Sequence, residues 1–582
     1  MKNYKKVYAA FILAGGLILH GCNGICYDLA INPNQPSMGA YFTSPSAVND
    51  AVMTMYGYMS TQRCLGASGS KTTIIRSDEA SSNSDYGKPG MFGADLNASY
   101  YTIEQPYTLM YTTASQASYI IETAPSVDFS GNEELRNAYM GEAYFWRAFA
   151  HYYLLINFRN ISPIRQMPRN GDDYVRPLEK PAAVWNFIQE DLAHAKELLP
   201  VKGYWDSKNA GRVTKASAAA LLGKAYLYRS GIEQYYGEDK TTFYSEAAKE
   251  FGDVIDGKYG TYDLTKNYAD NFDVAHENNE ESILEFQFLG DVDNAGFNPG
   301  LATSGLAFDS RGLMLPGAGV GYEGVVHNWL YNAFVNSVDK DGYTDIRMFS
   351  TMIFNDLDAS IHLRNDAGGN PVRLEGPGGY KWEELYPAKN GKEGFATVSN
   401  PLAHSFKAGI RKGIDCSMPT QTEADGTPKL VGVGAGVKEY VYNQPRAHGV
   451  NWRYIRYADV LMMYAEAVVS GGTQASNMTP LQAVNKVRGR ANMSELPSVT
   501  MTDIQNERIL EFALEGHRFY DLLRWGKLTS RFTELQESDP NFKKFISADD
   551  FKGFVTNKHE WLPIPINEVN SNPYITENNP GY

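Results

Sequence analysis

The feature that most constrains the fold of this chain is that helical periodicity occupies both ends of the sequence and is rare in the middle. Apolar residues recur at helical spacing up to about residue 258 and again from residue 451. Residues 259–450 are instead rich in Gly, Asn, Asp and Pro. Loops this long in a compact protein commonly serve a function. We therefore expect a mainly α-helical scaffold, formed by residues 46–258 and 451–582, that carries a loop-rich insert at residues 259–450.

Two segments show how the helices of the scaffold would pack. Residues 182–199 carry a regular apolar stripe that ends before Pro200. Residues 215–230 are rich in alanine, and small side chains let two helices approach closely. Long helices that alternate with small residues at their crossings indicate helical hairpins of the tetratricopeptide kind. We predict further helices at residues 138–156, 241–255, 325–335, 454–469, 480–490 and 502–525, and a strand at residues 282–288.

The predicted helix at residues 502–525 carries charged residues within an apolar pattern. We expect it to begin with a capping box formed by Thr502 and Gln505, and Gly526 suits a cap at its end. Spacings of three and four would place on one face Arg508, Glu511, Glu515 and Arg518. A similar stripe on the preceding segment contains Arg456, Asp459 and Glu466. Charges buried between helices need partners, so we predict an ion-pair network that joins these elements.

The first 22 residues have the organisation of a bacterial secretion signal. Three lysines precede an apolar run at residues 7–19, which is too short to cross a membrane. The run ends in a Leu-His-Gly-Cys sequence that resembles a lipobox, so that cleavage would leave a lipid on Cys22. We expect residues 1–21 to be a signal peptide and residues 22–45 to be a lipid-anchored tether. The alternative is an ordinary signal with a coincidental cysteine.

Catalytic, metal and nucleic-acid sites find little support in the sequence. The motifs at residues 276–280 and 319–324 resemble a zinc-hydrolase motif and a dinucleotide fingerprint, but they lack the helix or strand that each requires. We therefore expect no catalytic residue, metal or cofactor, although a glycosidase carboxylate pair stays open among so many acidic residues. A net charge of −14 argues against nucleic-acid binding. A disulfide between Cys64 and Cys416 and free thiols are both possible.

Several segments, in the same order, resemble the SusD/RagB family of outer-membrane nutrient-binding lipoproteins. The most specific is residues 506–526, which read NERILEFALEGHRFYDLLRWG. The others are residues 142–153 (EAYFWRAFAHYY), 211–215 (GRVTK), 456–467 (RYADVLMMYAEA), 485–491 (NKVRGRA) and 562–568 (LPIPINE). The resemblance covers nearly the whole chain and weakens across residues 290–450.

The resemblance implies a tetratricopeptide-like superhelix with an irregular lobe, forming one domain over residues 46–582. It also implies a lipid anchor in the outer membrane facing the cell exterior, a SusC-like TonB-dependent transporter as partner, and binding of an oligosaccharide without catalysis. Two alternatives stay open: the same fold could bind a peptide or another nutrient, or the protein could be a surface glycoside hydrolase.

The resemblance further implies a ligand site formed by aromatic residues from two segments of the chain, with polar side chains nearby. The first segment is the loop after the first helix, which offers Asn83, Asp85, Tyr86, Phe92 and Tyr101. The second is the central insert, which offers Phe297, Trp329, Arg347, Tyr380 and Trp382. Trp382 follows a glycine-rich loop and is expected to be exposed. Trp329 lies in a predicted helix and could pack in the core, and the Asp-Ile-Arg setting of Arg347 resembles a structural segment of the family.

Overall fold

The fold is described by a computed structural model of the chain. It describes residues 42–61, 63–82, 96–288, 324–376, 381–397, 403–413, 450–539 and 553–582, together with residues 92 and 379 and short strands at 308–309, 430–433, 437–440 and 447–448. The predicted signal peptide and Cys22 lie outside these residues, as does most of the predicted tether.

Most of the described residues outside the insert are helical. The α-helices are α1 (Pro45–Met59), α2 (Ala67–Ser70), α3 (Tyr101–Thr123), α4 (Glu133–Phe158), α5 (Pro181–Leu198), α6 (Lys215–Tyr236), α7 (Tyr244–Ile255), α8 (Asn328–Val335), α9 (Met348–Thr351), α10 (Trp382–Leu385), α11 (Tyr457–Val469), α12 (Pro480–Arg490), α13 (Met501–Glu511), α14 (Arg518–Arg524), α15 (Leu528–Ser538) and α16 (Ile566–Ser571). A π-helical turn, Lys71–Ile75, follows α2.

The long helices form a stack in which each helix packs against the next along the chain. Helices α3 to α7 contact one another in this order, and α7 then packs against α11, which packs against α12. The stack therefore continues from α7 to α11 in space although about 200 residues separate them in sequence. This arrangement confirms the predicted helical scaffold with an insert in the middle.

Small residues allow the close helix contacts that the alanine-rich segment predicts. A Cβ atom added at Gly223 would lie 2.7 Å from the Phe251 ring, and one at Gly231 would lie 2.4 Å from the carbonyl oxygen of Arg524. Helix α6 therefore packs closely against both α7 and α14.

The strands are short and lie mainly in the insert. They are β1 (Ala80–Ser82), β2 (Ser282–Phe286), β3 (Phe308–Asp309), β4 (Gly324–Val326), β5 (Met352–Phe354), β6 (Ala408–Ile410), β7 (Leu430–Val433), β8 (Val437–Tyr440), β9 (Ala447–His448) and β10 (Trp452–Arg456). A four-stranded antiparallel sheet has the order β1-β4-β6-β5. Strands β2 and β10 pair antiparallel, with Trp452 opposite Phe286. This pairing brings the two ends of the insert together, which is why the helical stack can bypass it.

The predicted helix at residues 502–525 is in fact two helices. Leu514 has a φ of +61° and Gly516 a φ of +85°, and both values are incompatible with a continuous right-handed helix. The capping box was also predicted wrongly, because it is formed two residues earlier by Thr500 and Asp503. The predicted cap at Gly526, whose φ is +64°, is confirmed. The predicted helix at 325–335 begins only at Asn328, because the preceding residues form β4.

The predicted ion-pair network is present and buried. Arg456 donates to Glu281, Glu511 and Glu515, and Arg508 donates to Asp459 and Asp521. Arg524 pairs with Glu466, and Arg518 with Asp78. The network therefore joins the elements around α11, α13 and α14, although Glu515 lies in the turn between two helices rather than on a helical face.

Two further expectations concern the core and the membrane. Buried apolar side chains of the helices, the sheet and the insert form one hydrophobic core, and the thiol of Cys64 is free and buried in it. Cys416 lies outside the described residues. Within the described part of the chain, no helix is long and apolar enough to cross a membrane.

Candidate functional site

A cleft opens at the edge of the four-stranded sheet where three segments of the insert meet. Strands β5 and β6 pair with Phe354 opposite Ala408, and β4 pairs with β6 with Val326 opposite Ala408. The residues after β5, those before β6 and the start of α8 therefore lie at the same edge. Asn328 holds them together, since its side chain donates to the carbonyl of Ser405 and accepts from the amide of Lys407, both at 3.2 Å.

The cleft, which we call the Trp382 cleft, has a volume of about 440 Å³. This volume lies in the range of small-molecule sites. It is lined by Tyr331, Asn355, Leu357, Asp358, Trp382, Glu383, Tyr386, Ala388, Glu393, Gly394, Phe395, Ala396, His404, Phe406 and Lys407.

Three aromatic rings form the apolar wall of the cleft. The ring centroids of Trp382, Tyr386 and Phe395 lie 4.7 to 5.0 Å from one another. Gly394 makes this packing possible, because a Cβ atom there would lie 2.9 Å from the Trp382 ring. The rings are therefore held rigidly, and Leu357, which is 59% exposed, adds apolar surface at the rim.

Charged groups supply the polar part of the lining. Asp358 accepts from the hydroxyl and the amide of Ser360 at 2.7 and 2.9 Å, and these hydrogen bonds hold the pKa of Asp358 below its ordinary value. The side-chain hydrogen bond from Arg373 lowers the pKa of Glu383 in the same way. The Nζ atom of Lys407 lies 5.2 Å from the centre of the Tyr331 ring. The cleft thus combines an apolar wall with charged hydrogen-bonding groups.

The structure places Trp382 in this cleft but corrects its expected exposure. Its side chain is only 7% exposed, because Tyr386 and Phe395 cover it. The glycine-rich segment before it predicted an exposed loop, whereas Trp382 begins the short helix α10.

Three other predicted ligand residues have structural partners. Arg347 is fully buried and pairs with Asp345, Glu507 and Glu511, so it cannot reach a ligand at the surface. Phe92 is 3% exposed and packs among the rings of Phe532, Phe554 and His559. Trp329 donates to the carbonyl of Asp78, and the guanidinium of Arg531 lies 4.2 Å above its ring.

Of the remaining candidates, Tyr101 is described and does not line the cleft. Tyr101 is 40% exposed at the start of α3. Five candidates lie outside the described residues, namely Asn83, Asp85, Tyr86, Phe297 and Tyr380.

Sequence reasoning missed most of the lining of the Trp382 cleft. Tyr331 comes from a helix that was predicted to pack in the core. The other missed residues come from segments without periodicity and include Asp358, Phe406 and Lys407. Only the pairing of β4, β5 and β6 brings them together, and such short strands leave no clear pattern in the sequence. Among the residues that the structure describes, no cluster of three or more His, Cys, Asp and Glu side chains is arranged to hold a metal ion.

Comparisons with known proteins agree with the resemblance seen in the sequence. A family model described as "SusD family" matches residues 422–582, and one described as "Starch-binding associating with outer membrane" matches residues 32–227. A SusD-like protein from Bacteroides ovatus is 23% identical to this chain over 99% of this chain and 98% of the relative. The chain belongs to the SusD/RagB family.

Two solved structures share the fold over nearly their whole length. A laminarin-binding SusD-like protein has a TM-score of 0.63 at 23% identity, over 93% of this chain and 100% of the other. Surface glycan-binding protein A from Bacteroides thetaiotaomicron, solved with laminarihexaose, has a TM-score of 0.65 at 18% identity, over 92% and 100%. The predicted mainly α, tetratricopeptide-like fold is thereby confirmed.

Proposed function

We propose that this protein is a cell-surface lipoprotein that captures oligosaccharides and passes them to a SusC-like TonB-dependent transporter in the outer membrane. The observation that carries the proposal is the Trp382 cleft in a chain of this family. The two solved relatives named above bind laminarin or laminarihexaose, both of which are glycans.

The chemistry of the Trp382 cleft suits a sugar. A sugar ring presents apolar C–H faces. The small accessible parts of Trp382, Tyr386 and Phe395, together with the exposed Leu357, give the cleft an apolar surface for these faces to contact. Sugar hydroxyls donate to carboxylates such as Asp358 and accept from ammonium groups such as Lys407. A rigid aromatic wall loses little conformational freedom on binding, which favours affinity.

The same charges favour binding over hydrolysis. A glycosidase needs a carboxylic acid whose pKa is raised, so that it can protonate the leaving group. The pKa values of Asp358 and Glu383 are instead lowered, by hydrogen bonds from Ser360 and Arg373 respectively. Both groups are therefore ionised near neutral pH and act as hydrogen-bond acceptors. Release of reducing sugar from an oligosaccharide by the purified protein would contradict this assignment.

Substitutions at the rim test the Trp382 cleft without disturbing the core. We expect Leu357→Ala to weaken binding of an array-selected glycan in calorimetry, because it removes apolar contact area at the rim. Asp358→Asn should weaken binding about tenfold, because it removes a charged hydrogen-bond acceptor. Val555→Ala is the matched control for Leu357, because Val555 is also an exposed apolar residue and does not line the cleft. Unchanged affinity in both cleft variants would place the site elsewhere.

The lipid anchor has its own test in cells that lack the partner transporter. Cys22→Ala should move the protein from the membrane fraction to the soluble fraction and abolish incorporation of labelled palmitate, because the acyl chains attach to that cysteine. Cys26→Ala is the control, since it removes a neighbouring thiol and should leave both readouts unchanged. Membrane retention of the Cys22 variant would contradict lipid anchoring.

A further inference from the structure

A second and larger groove lies on the helical scaffold. Its volume is about 660 Å³, and its lining comes from α6, α7, α11, α13 and α14 and the turns next to them, with no residue of the insert. We call it the scaffold groove. The Trp382 cleft is formed by the insert alone, so the two sites share no lining residue.

Two glycines shape the floor of the scaffold groove. A Cβ atom at Gly526 would lie 2.5 Å from the Tyr235 ring, and one at Gly231 would collide with Arg524. The absence of a side chain at Gly526 therefore leaves room for the Tyr235 ring. Tyr235 is nevertheless 52% exposed, so the ring offers an accessible aromatic surface.

The charges in the floor neutralise each other. Arg524 and Glu466 are both buried, and the guanidinium donates to the carboxylate at 2.8 Å. The indole nitrogen of Trp525 donates to the same carboxylate at 2.9 Å. The floor therefore has no net charge to select a phosphate or an acidic peptide.

The rim of the scaffold groove is rich in uncharged hydrogen-bonding groups. They are the amides of Gln234 and Gln505 and the hydroxyls of Thr242, Ser245, Ser470 and Thr502. The only exposed charges on the lining are Glu246 and Lys527, which have opposite signs, and Lys527 donates to Gln505 at 2.7 Å.

We propose that the scaffold groove is a second binding site, specific for a neutral oligosaccharide. The Tyr235 ring would pack against the C–H face of one sugar unit, while the amides and hydroxyls of the rim exchange hydrogen bonds with its hydroxyl groups. The choice of a sugar rests on the proposed function, whereas the existence of a second site rests on the groove itself.

Two sites on one protein would change how it holds a long glycan. When one site is occupied, a chain that can reach the other binds there at a high effective concentration. Polysaccharide would then be held more tightly than a short oligosaccharide that fills only one site.

Calorimetry with laminarihexaose, maltohexaose and a xylogluco-oligosaccharide tests the proposal on the full mature chain. For the sugar that binds, we expect two molecules per protein. Tyr235→Ala should weaken the scaffold site about tenfold or more, the range seen where bases stack on aromatic side chains. Thr502→Trp, which would fill the mouth of the groove, should have the same effect. Tyr574→Ala is the matched control, because Tyr574 is 58% exposed and does not line the groove.

The outcomes separate this inference from the proposed function. The second site would be contradicted if one molecule binds per protein and if neither Tyr235→Ala nor Thr502→Trp changes the affinity. If Asp358→Asn weakens that binding, the Trp382 cleft remains supported as the glycan site. Binding of neither these three sugars nor any glycan on the array would overturn both. Loss of one molecule in the Tyr235 and Thr502 variants, with normal melting temperatures, would support the second site.

Discussion

At the residue scale, buried ion pairs explain which charged side chains build the fold rather than bind a ligand. Burial alone would raise the pKa of Glu511, but the guanidinium groups of Arg490, Arg456 and Arg347 outweigh it and hold this pKa well below its ordinary value. Burial likewise opposes ionisation of Asp521, yet Arg508 and Arg524 lower its pKa to about 2. Both carboxylates are therefore ionised at neutral pH and paired with these guanidinium groups.

Removal of one partner from this network should destabilise the protein strongly. Glu515→Ala would leave Arg456 and Lys412 with fewer counter-charges, and Arg518→Ala would leave Asp78 with only Arg531. We expect each to lower the free energy of unfolding by about 3–5 kcal/mol, the cost of breaking a buried pair. Denaturant unfolding measures the loss. Lys180→Ala, which breaks the exposed pair with Glu238, is the control and should change stability little.

At the element scale, close packing of helices depends on glycine where the backbones approach. Helix α6 lies against α14 so closely that Gly231 has no room for a side chain beside the backbone of Arg524. The segment just before α14 also shows where a helix ends. The positive φ values of Leu514 and Gly516 separate α13 from α14. The turn between them directs the Glu515 carboxylate towards Arg456. The continuous helix that the sequence predicted would contain no such turn.

A pair of glycine substitutions tests the contact between α6 and α14. We expect Gly231→Ala to lower the free energy of unfolding by about 1–3 kcal/mol, because overpacking forces the two helices apart. Gly57→Ala is the matched control in α1, where no atom lies within 4 Å of the added Cβ. That change should stabilise the protein by up to about 1 kcal/mol, because alanine favours a helix more than glycine does. Equal effects of the two substitutions would contradict the close contact.

At the scale of the whole molecule, several histidines are buried in the neutral form. Burial lowers the pKa of His327 and His517 from 6.5 to about 4, and that of His151 and His559 to about 3. Between about pH 4 and pH 6.5 the unfolded chain therefore binds more protons at these positions than the folded chain does. Burial of Glu79 acts in the opposite direction, since it raises the pKa of that carboxyl to about 8.

The four histidines together predict a loss of stability in mild acid. Stability rises with pH wherever the unfolded state binds more protons, so the melting temperature should fall as the pH is lowered from about 6.5 to 4. The carboxyls whose pKa values burial raises, namely Glu79, Glu142, Asp191 and Glu560, reduce this slope. Carboxyls whose pKa values ion pairs lower, such as Glu511 and Asp521, add to it. His327→Gln should flatten the dependence, because it removes one of the four histidines whose pKa burial lowers. A melting temperature independent of pH across this window would contradict the prediction.

The sequence by itself determined the helical scaffold, the presence of a loop-rich insert in its middle and the presence of an ion-pair network between the last helices. These features depend on local periodicity and on the need to pair buried charges, and both can be recognised in residues 142–153 and 506–526. Only the tertiary structure decided the Trp382 cleft, the burial of Trp382 and the break at Leu514. The cleft is formed by residues near positions 331, 358, 382 and 407, which short strands bring together from segments without a pattern of their own. Exposure of a side chain depends on such distant neighbours, so Trp382 could be selected from the sequence as a candidate but its packing on Tyr386 and Phe395 could not.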